Sequence, residues 1–201
     1  MINILIRHSE GRKEELKRCI ASIQNQLYKS LHLIVSADSE VAHQSVFDIL
    51  EPAGLSYQIV RVQNTSVPFH WNFYCNNLKE HVTSGWFFYL DDDDTLVDSY
   101  CLKQISTHLI YPYQAVICQF LRKGKPKPIG QYAGKMLPDQ VIRGKIGGSC
   151  IFLHAMNKNI AHWDGQRAAD FRFIRDVSMK LPMLYVPIPV VRAENNGRKG
   201  K

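Results

Sequence analysis

At 201 residues and 45% apolar content the chain can bury one sizeable core, so a single domain is expected. No window of about 18 uninterrupted apolar residues is available to span a membrane, and the first seven residues enter a strand pattern at once without the features of a secretory leader, so a cytoplasmic protein is expected. A net charge of +7 calls for anionic partners, while five scattered cysteines with no C-x-x-C pair exclude both a disulfide framework and a zinc site.

The first half alternates strand and helix. Residues 2–6 read as a strand followed by a polar loop at 7–11; Leu16, Ile20, Ile23 and Leu27 then recur at helical spacing and predict a helix over 12–26. A second strand at 31–35 ends in Ser36, Ala37 and Asp38, and a helix over 41–50 is closed by Pro52 and Gly54. A third strand covers 57–62. Pro68 opens a third helix whose Trp71, Cys75, Leu78 and Val82 form one stripe, with Asn72 and Asn76 on another face. The apolar run 86–90 after Gly85 is a fourth, buried strand, and it delivers Asp91, Asp92, Asp93 and Asp94 to the sheet edge.

The second half is less regular. A helix is expected over 98–108 and a strand over 114–121, then a long basic loop at 122–146 that is read as functional or mobile. Gly147 and Gly148 lead into a strand at 149–153. A helix starting near 168 or 170 should bury Phe171, Ile174, Val177 and Leu181, and a last strand at 183–191 is placed at the sheet edge because Pro187 and Pro189 interrupt it. Residues 192–201 form a basic tail.

This order predicts an α/β fold with a mostly parallel central sheet flanked by helices. All parallel strands then open their C-termini on one side, so the loop at 7–11, Asp38 and the four aspartates converge on one crevice. Close carboxylate pairs repel by roughly 1 kcal/mol even in water. A positive group should therefore sit among them, and a hard cation, Mn²⁺ or Mg²⁺, brought with a substrate phosphate, is the expected one. A solvated acidic turn is the plainer alternative, set against the fact that only 18 residues of the chain are acidic and four of them fall here.

With these pieces in place the chain resembles the family-two glycosyltransferases of the GT-A fold, from residue 2 to about 191. The resemblance is carried by Ile4-Leu5-Ile6 with Arg12 and Leu16, by the segment Cys-Ile-Ala-Ser-Ile-Gln-Asn-Gln at 19–26, and by Leu33-Ile34-Val35-Ser36-Ala37-Asp38. Tyr89-Leu90 followed by the aspartates looks like the family's D-x-D motif, and Gly147-Gly148 followed by Ala168-Ala169-Asp170-Phe171 looks like its acceptor-side segment. The resemblance implies a single domain at 1–191, with a nucleotide-binding half at about 1–97 and an acceptor half at about 98–191. It also implies inverting, metal-dependent sugar transfer from a nucleotide-diphosphate donor to a glycan, lipid-linked or protein acceptor. By the same resemblance Asp91 and Asp93 hold Mn²⁺ or Mg²⁺, and Asp92 contacts the ribose. Asp38 hydrogen-bonds the nucleobase, His8 and Ser9 line the same pocket, Asn72 and Asn76 reach the nucleotide, and Asp170 is the general base. Plainer roles stand beside these: Asp38 and Asp170 could serve helix starts, and Asn72 and Asn76 could be solvated. The family's usual Pro-Thr-Tyr-Asn after the first strand is here Arg7-His8-Ser9-Glu10.

Two rival functions are set aside on the sequence. The aspartates with Thr95 also fit the D-x-D-x-T of haloacid-dehalogenase phosphatases, with Asp91 as nucleophile and Asp93 as general acid, but that motif normally ends the first strand of its domain rather than the fourth. A basic nucleic-acid-binding module is favoured by charge alone, and an acidic crevice repels a phosphate backbone, so no nucleic acid is expected.

Overall fold

A computed structural model of the chain describes residues 1–63, 67–122, 125–127 and 134–194. The apolar runs of the first half become β1 (Ile2–Arg7), β2 (Leu31–Ala37), β3 (Tyr57–Arg61) and β4 (Trp86–Asp91), all parallel, in the spatial order β3-β2-β1-β4. The near-continuous apolar character of β1 and β4 follows from burial on both faces. Between them run α1 (Lys13–Gln24), α2 (Glu40–Leu50) and α3 (Trp71–Glu80). In α1 the spacing of Leu16, Cys19, Ile20 and Ile23 gives one buried stripe. Helix α2 starts at Ser39, whose Oγ accepts the Ala42 N–H at 3.0 Å, so Ser39 and not Asp38 is the cap.

The chain order decides where a ligand can sit. From β1 the chain moves outward to β2 and β3, then returns to the opposite flank of β1 for β4. Right-handed crossovers therefore put α1 and α2 on one face and α3 on the other, and a crevice opens where the order reverses, at the C-termini of β1 and β4. Register pairs Arg7 with Asp91 there.

The second half continues the sheet through β5 (Thr95–Leu96), β6 (Ala115–Arg122), β7 (Lys125–Lys127), β8 (Gly134–Met136), β9 (Ile151–His154) and β10 (Met183–Ala193). Strand β9 is antiparallel to both β4 and β6, and β10 is parallel to β6. Phe88 and Phe152 stack at 4.5 Å between ring centroids across the β4–β9 junction. Helices α4 (Cys101–Ser106) and α5 (Ala169–Ser178) complete the fold.

Several expectations need correction. Strand β10 is interior: β6 flanks it on one side, while β8 and β5 cover separate stretches of the other, at Met183–Tyr185 and at Val191 and Arg192. Pro187 and Pro189 fall in the gap between those stretches, where the β6 register also slips on either side of the Pro189–Gln119 pair, so an interior strand tolerates both prolines there. The expected loop at 122–146 contains β7, β8 and a single helical turn at Pro138–Gln140, because short strands rich in Lys, Gly and Pro carry no apolar alternation to read. Within it, 123–124 and 128–133 lie outside the described residues, as do 195–201 of the basic tail. Helix α4 spans only Cys101–Ser106, preceded by a turn in which Asp98 Oδ1 accepts the N–H groups of Tyr100 and Cys101. Helix α3 begins at Trp71 after a turn in which Phe69 has φ 56°, not at Pro68. In α5 the buried aromatic is Phe173 rather than Phe171. All five cysteines are buried free thiols, as their scatter implied.

Candidate active site

The crevice at the β1–β4 switch is a cavity of about 490 Å³. Its lining brings together Asp91, Asp92, Asp93, Asp94 and Asp170 with Arg7, Arg12 and Arg122, so five carboxylates face three guanidiniums. Each aspartate has a different neighbourhood. Asp91 pairs with Arg7, whose Nε donates to Oδ1 at 2.8 Å while Nη2 pairs with the same oxygen. Asp92, 2% exposed, meets His8 Nδ1 at 2.9 Å and Arg12 Nη2 at 3.0 Å. Its carboxyl is nonetheless pushed above the usual range by burial, which outweighs the His8 hydrogen bond and Arg12. Asp93 pairs with the same Arg12 Nη2 at 2.8 Å. Asp94 accepts the Glu194 N–H at 3.3 Å, and burial, then the charges of Asp91 and Asp93, lift its carboxyl to about 8.

The expectation of a positive group at this strand end is thus met first by the protein's own arginines. Sequence reasoning gave them no role, although parallel register alone puts Arg7, at the end of β1, beside Asp91.

Facing the aspartates is the acceptor-side segment. Asp170 is the second residue of α5; its Oδ1 accepts the Phe171 N–H at 2.8 Å, and burial raises its carboxyl above the usual range, with Arg7 opposing and Asp91 adding to the shift. The helix enters from Ala168 in the left-handed region, φ 61°, with no side-chain cap. Gly147 lies so close that a Cβ there would stand 4.0 Å from Asp170 Oδ2. Trp163 forms the wall between: it stacks on Phe173 at 5.0 Å, and Arg7 Cζ lies 6.0 Å from its ring centroid.

Gly148 has no room for a side chain, since a Cβ would fall 2.6 Å from Trp163 Cη2. Gly148→Ala is therefore expected to lower stability by about 1–3 kcal/mol through overpacking, read as a lower midpoint in a thermal or urea melt; an unchanged midpoint would show that the indole yields freely.

The remaining expected residues divide. Asn72 lines the cavity and Asn76 does not. Neither is simply solvated. Asn72 Nδ2 donates to the carbonyls of Asp164 and Gln166, both at 3.1 Å, and Asn76 pairs with both backbone groups of Trp163, at 2.8 and 2.9 Å. One turn further on, buried Lys79 donates to the Ala161 carbonyl at 2.8 Å, so three polar residues of α3 fasten the segment that carries Trp163. Their shared work was illegible because the partner backbone lies over 80 residues away in sequence. His8 is buried behind Asp92 and is not part of the cavity lining; its backbone N–H donates to Ser36 Oγ. Ser9 follows it in the same loop. Asp38 accepts the Glu10 N–H at 3.3 Å and the Tyr74 hydroxyl at 3.4 Å and is not in the cavity lining. Cys75 does line it, but burial pushes the thiol up to about 12, so it offers neither nucleophile nor soft metal ligand. Among the described residues no three His, Cys, Asp or Glu side chains converge as a metal site on their own.

Comparison with known proteins places this geometry. The sequence model of glycosyl transferase family 2 matches residues 4–161. No curated protein matches the sequence. Among solved structures the chain is similar to S. aureus TarS, with a TM-score of 0.79 at 10% identity over 96% of this chain and 36% of that one. It is also similar to the 1–349 portion of TarS in complex with UDP-GlcNAc (TM-score 0.75, 11% identity, 96% and 58% covered). A third is the mannosyltransferase PcManGT from Pyrobaculum calidifontis in complex with GDP-Man and Mn²⁺ (TM-score 0.70, 14% identity, 98% and 58% covered). The chain thus spans between about a third and three fifths of these proteins' lengths, and the likeness is one of fold.

Proposed function

Because the chain belongs to glycosyl transferase family 2, we propose that it moves a sugar from a nucleotide-diphosphate donor to an acceptor hydroxyl with inversion, using Mn²⁺ or Mg²⁺. The observation that carries this reading is the meeting of Asp170 with the four aspartates in one cavity at the topological switch point. Family membership also displaces the phosphatase reading, whose nucleophile would be Asp91, here held by Arg7.

The residues present fit a divalent cation. The donors are all carboxylate oxygens, and the lining is short of positive charge. With no convergent protein cage, a hard cation would take one or two carboxylates and complete its shell with donor phosphates, as Mg²⁺ sites commonly do. Asp91 and Asp93 would hold it, and as a Lewis acid it supplies stabilisation of the charge that grows on the departing diphosphate.

Asp170 accepts the proton of the attacking hydroxyl, and burial, by raising its carboxyl above the usual range, makes it a stronger base than a solvated carboxylate. Arg7 adds fixed positive potential at the donor side and orients Asp91. Asp38, free of capping duty, is assigned to the nucleobase and Asp92 to the ribose side, with Ser9 in the adjoining loop and Asn72 at the cavity wall. His8 and Asn76 support that wall from behind. Of the partners, the donor is a UDP- or GDP-sugar by analogy with TarS in complex with UDP-GlcNAc and PcManGT in complex with GDP-Man. The acceptor is a glycan, a lipid-linked sugar or a protein. Residues 1–97 make up the donor half and 98–191 the acceptor half of one domain. No helix among the described residues is long and apolar enough to cross a membrane, and five free cysteines suit a reducing, cytoplasmic setting.

The test is release of nucleoside diphosphate from a panel of uridine and guanosine diphosphate sugars, with Mn²⁺ and a mixed set of sugar acceptors. Acceptor-stimulated release from donors of one base is expected. Absence of release and of binding for every donor would overturn the reading.

A further inference from the structure

Arg7 and Arg12 neutralise the same acidic strand end in unlike ways. Arg7 is committed on every side: two nitrogens go to Asp91, Nη1 reaches Asn72 Oδ1 at 3.5 Å, and the guanidinium lies over Trp163. Arg12 sits on the loop residue just before α1 and holds its aspartates through one nitrogen, Nη2, at 3.0 Å from Asp92 and 2.8 Å from Asp93. Its Nε is buried without a hydrogen-bond partner. An arginine offers five donors in a planar fork suited to bidentate anions, and this one engages two carboxylates by a single tip.

We propose that Arg12 is an exchangeable counter-cation: it occupies Asp93 until a divalent cation binds there, and then turns its fork to the diphosphate of the donor. The exchange at Asp93 follows from the pairing itself, while the diphosphate half rests on the glycosyl-transfer reading. A dication at Asp93 repels the guanidinium that sits 2.8 Å from that carboxylate, and Arg12, with its Nε unpartnered, has less to hold it in place than Arg7. Departure of Arg12 does not strand Asp92, which keeps His8 Nδ1 at 2.9 Å. Arg12 already lines the cavity, and the freed Nε and Nη groups match two phosphate oxygens in the geometry arginine favours. Arg7, tied to Asp91 and Asn72 and lying over Trp163, stays in place.

The exchange makes two opposite expectations for one substitution. Titrated with Mn²⁺ alone and followed by the loss of the free-ion electron paramagnetic resonance signal, Arg12→Gln is expected to bind the ion about three- to tenfold more tightly than the wild type, because its competitor is gone. Titrated with UDP and GDP at saturating Mn²⁺, the same variant is expected to bind the preferred diphosphate about tenfold more weakly. A residue that merely props the site would lower both affinities. Mn²⁺ affinity that is unchanged or reduced in Arg12→Gln overturns the exchange, and Arg12→Met, which keeps the apolar stem, gives the same reading should the Gln variant not fold. If the wild type binds Mn²⁺ but neither diphosphate, the donor reading and the diphosphate half fail together, and the Mn²⁺ titration still decides the exchange.

Discussion

Asp170→Asn is expected to lower sugar transfer by about 10²-fold or more while donor affinity and melting temperature stay near those of the wild type. The amide keeps the shape of the side chain, and its oxygen can still accept the Phe171 N–H that Asp170 Oδ1 accepts at 2.8 Å. What it loses is the capacity to take a proton. Were Asp170 only a helix-start residue, the same change would leave turnover intact, since Asn serves helix starts nearly as well as Asp. The pH profile gives a second, independent reading. Burial raises this carboxyl, so the active, ionised form appears only above the usual carboxylate range of about 4, and transfer should climb with pH through that raised midpoint and then level. Stability moves the other way. A carboxyl whose folded pKa lies above its unfolded value binds its proton more tightly when folded, so its contribution is present at low pH and lost as pH rises through the folded pKa. Asp170→Asn should remove its share of both slopes. Asp164 is a poor substitute base, because Arg172 engages both its oxygens and holds it below the usual range.

Asp93→Asn should weaken metal-dependent binding of a nucleoside diphosphate by about tenfold or more and leave the fold intact. Asp93 is the informative position: Asp92 is buried against His8 and Arg12 and Asp91 takes two nitrogens of Arg7, whereas the Arg12 that pairs with Asp93 keeps Asp92 as a partner when Asp93 is changed. Calorimetric titration with and without Mn²⁺ separates the effects. Unchanged metal dependence in the variant would remove Asp93 from the ligand set.

The first four strands and the helices between them were legible because burial on both faces writes long apolar runs, and because helix α1 keeps its stripe of Leu16, Ile20 and Ile23. The crevice was legible too, since strand order follows from alternation and the ligand site from strand order. Beyond Leu96 the reading weakened for identifiable reasons. Strands β7 and β8 are too short for a period, and the prolines of β10 signal an edge unless one knows that its neighbours leave a gap at Pro187 and Pro189. The aspartates announced a need for positive charge, but the identity of the charge depended on register: Arg7 comes from β1, 84 residues away, and Arg12 from the loop beyond it. Asn72, Asn76 and Lys79 share a helix face that marks them as partners of something, and only the folded chain shows that something to be the backbone around Trp163.

The central claim is that the aspartate-lined cavity is a metal-dependent site for a nucleotide-diphosphate donor, and calorimetric titration of the whole chain with UDP and with GDP, in Mn²⁺ and again after chelation, tests it most directly. The account predicts saturable binding of one of the two diphosphates in Mn²⁺ and loss of most of that affinity when the ion is withdrawn; binding of equal strength with and without the ion, or none of either diphosphate in Mn²⁺, would contradict it.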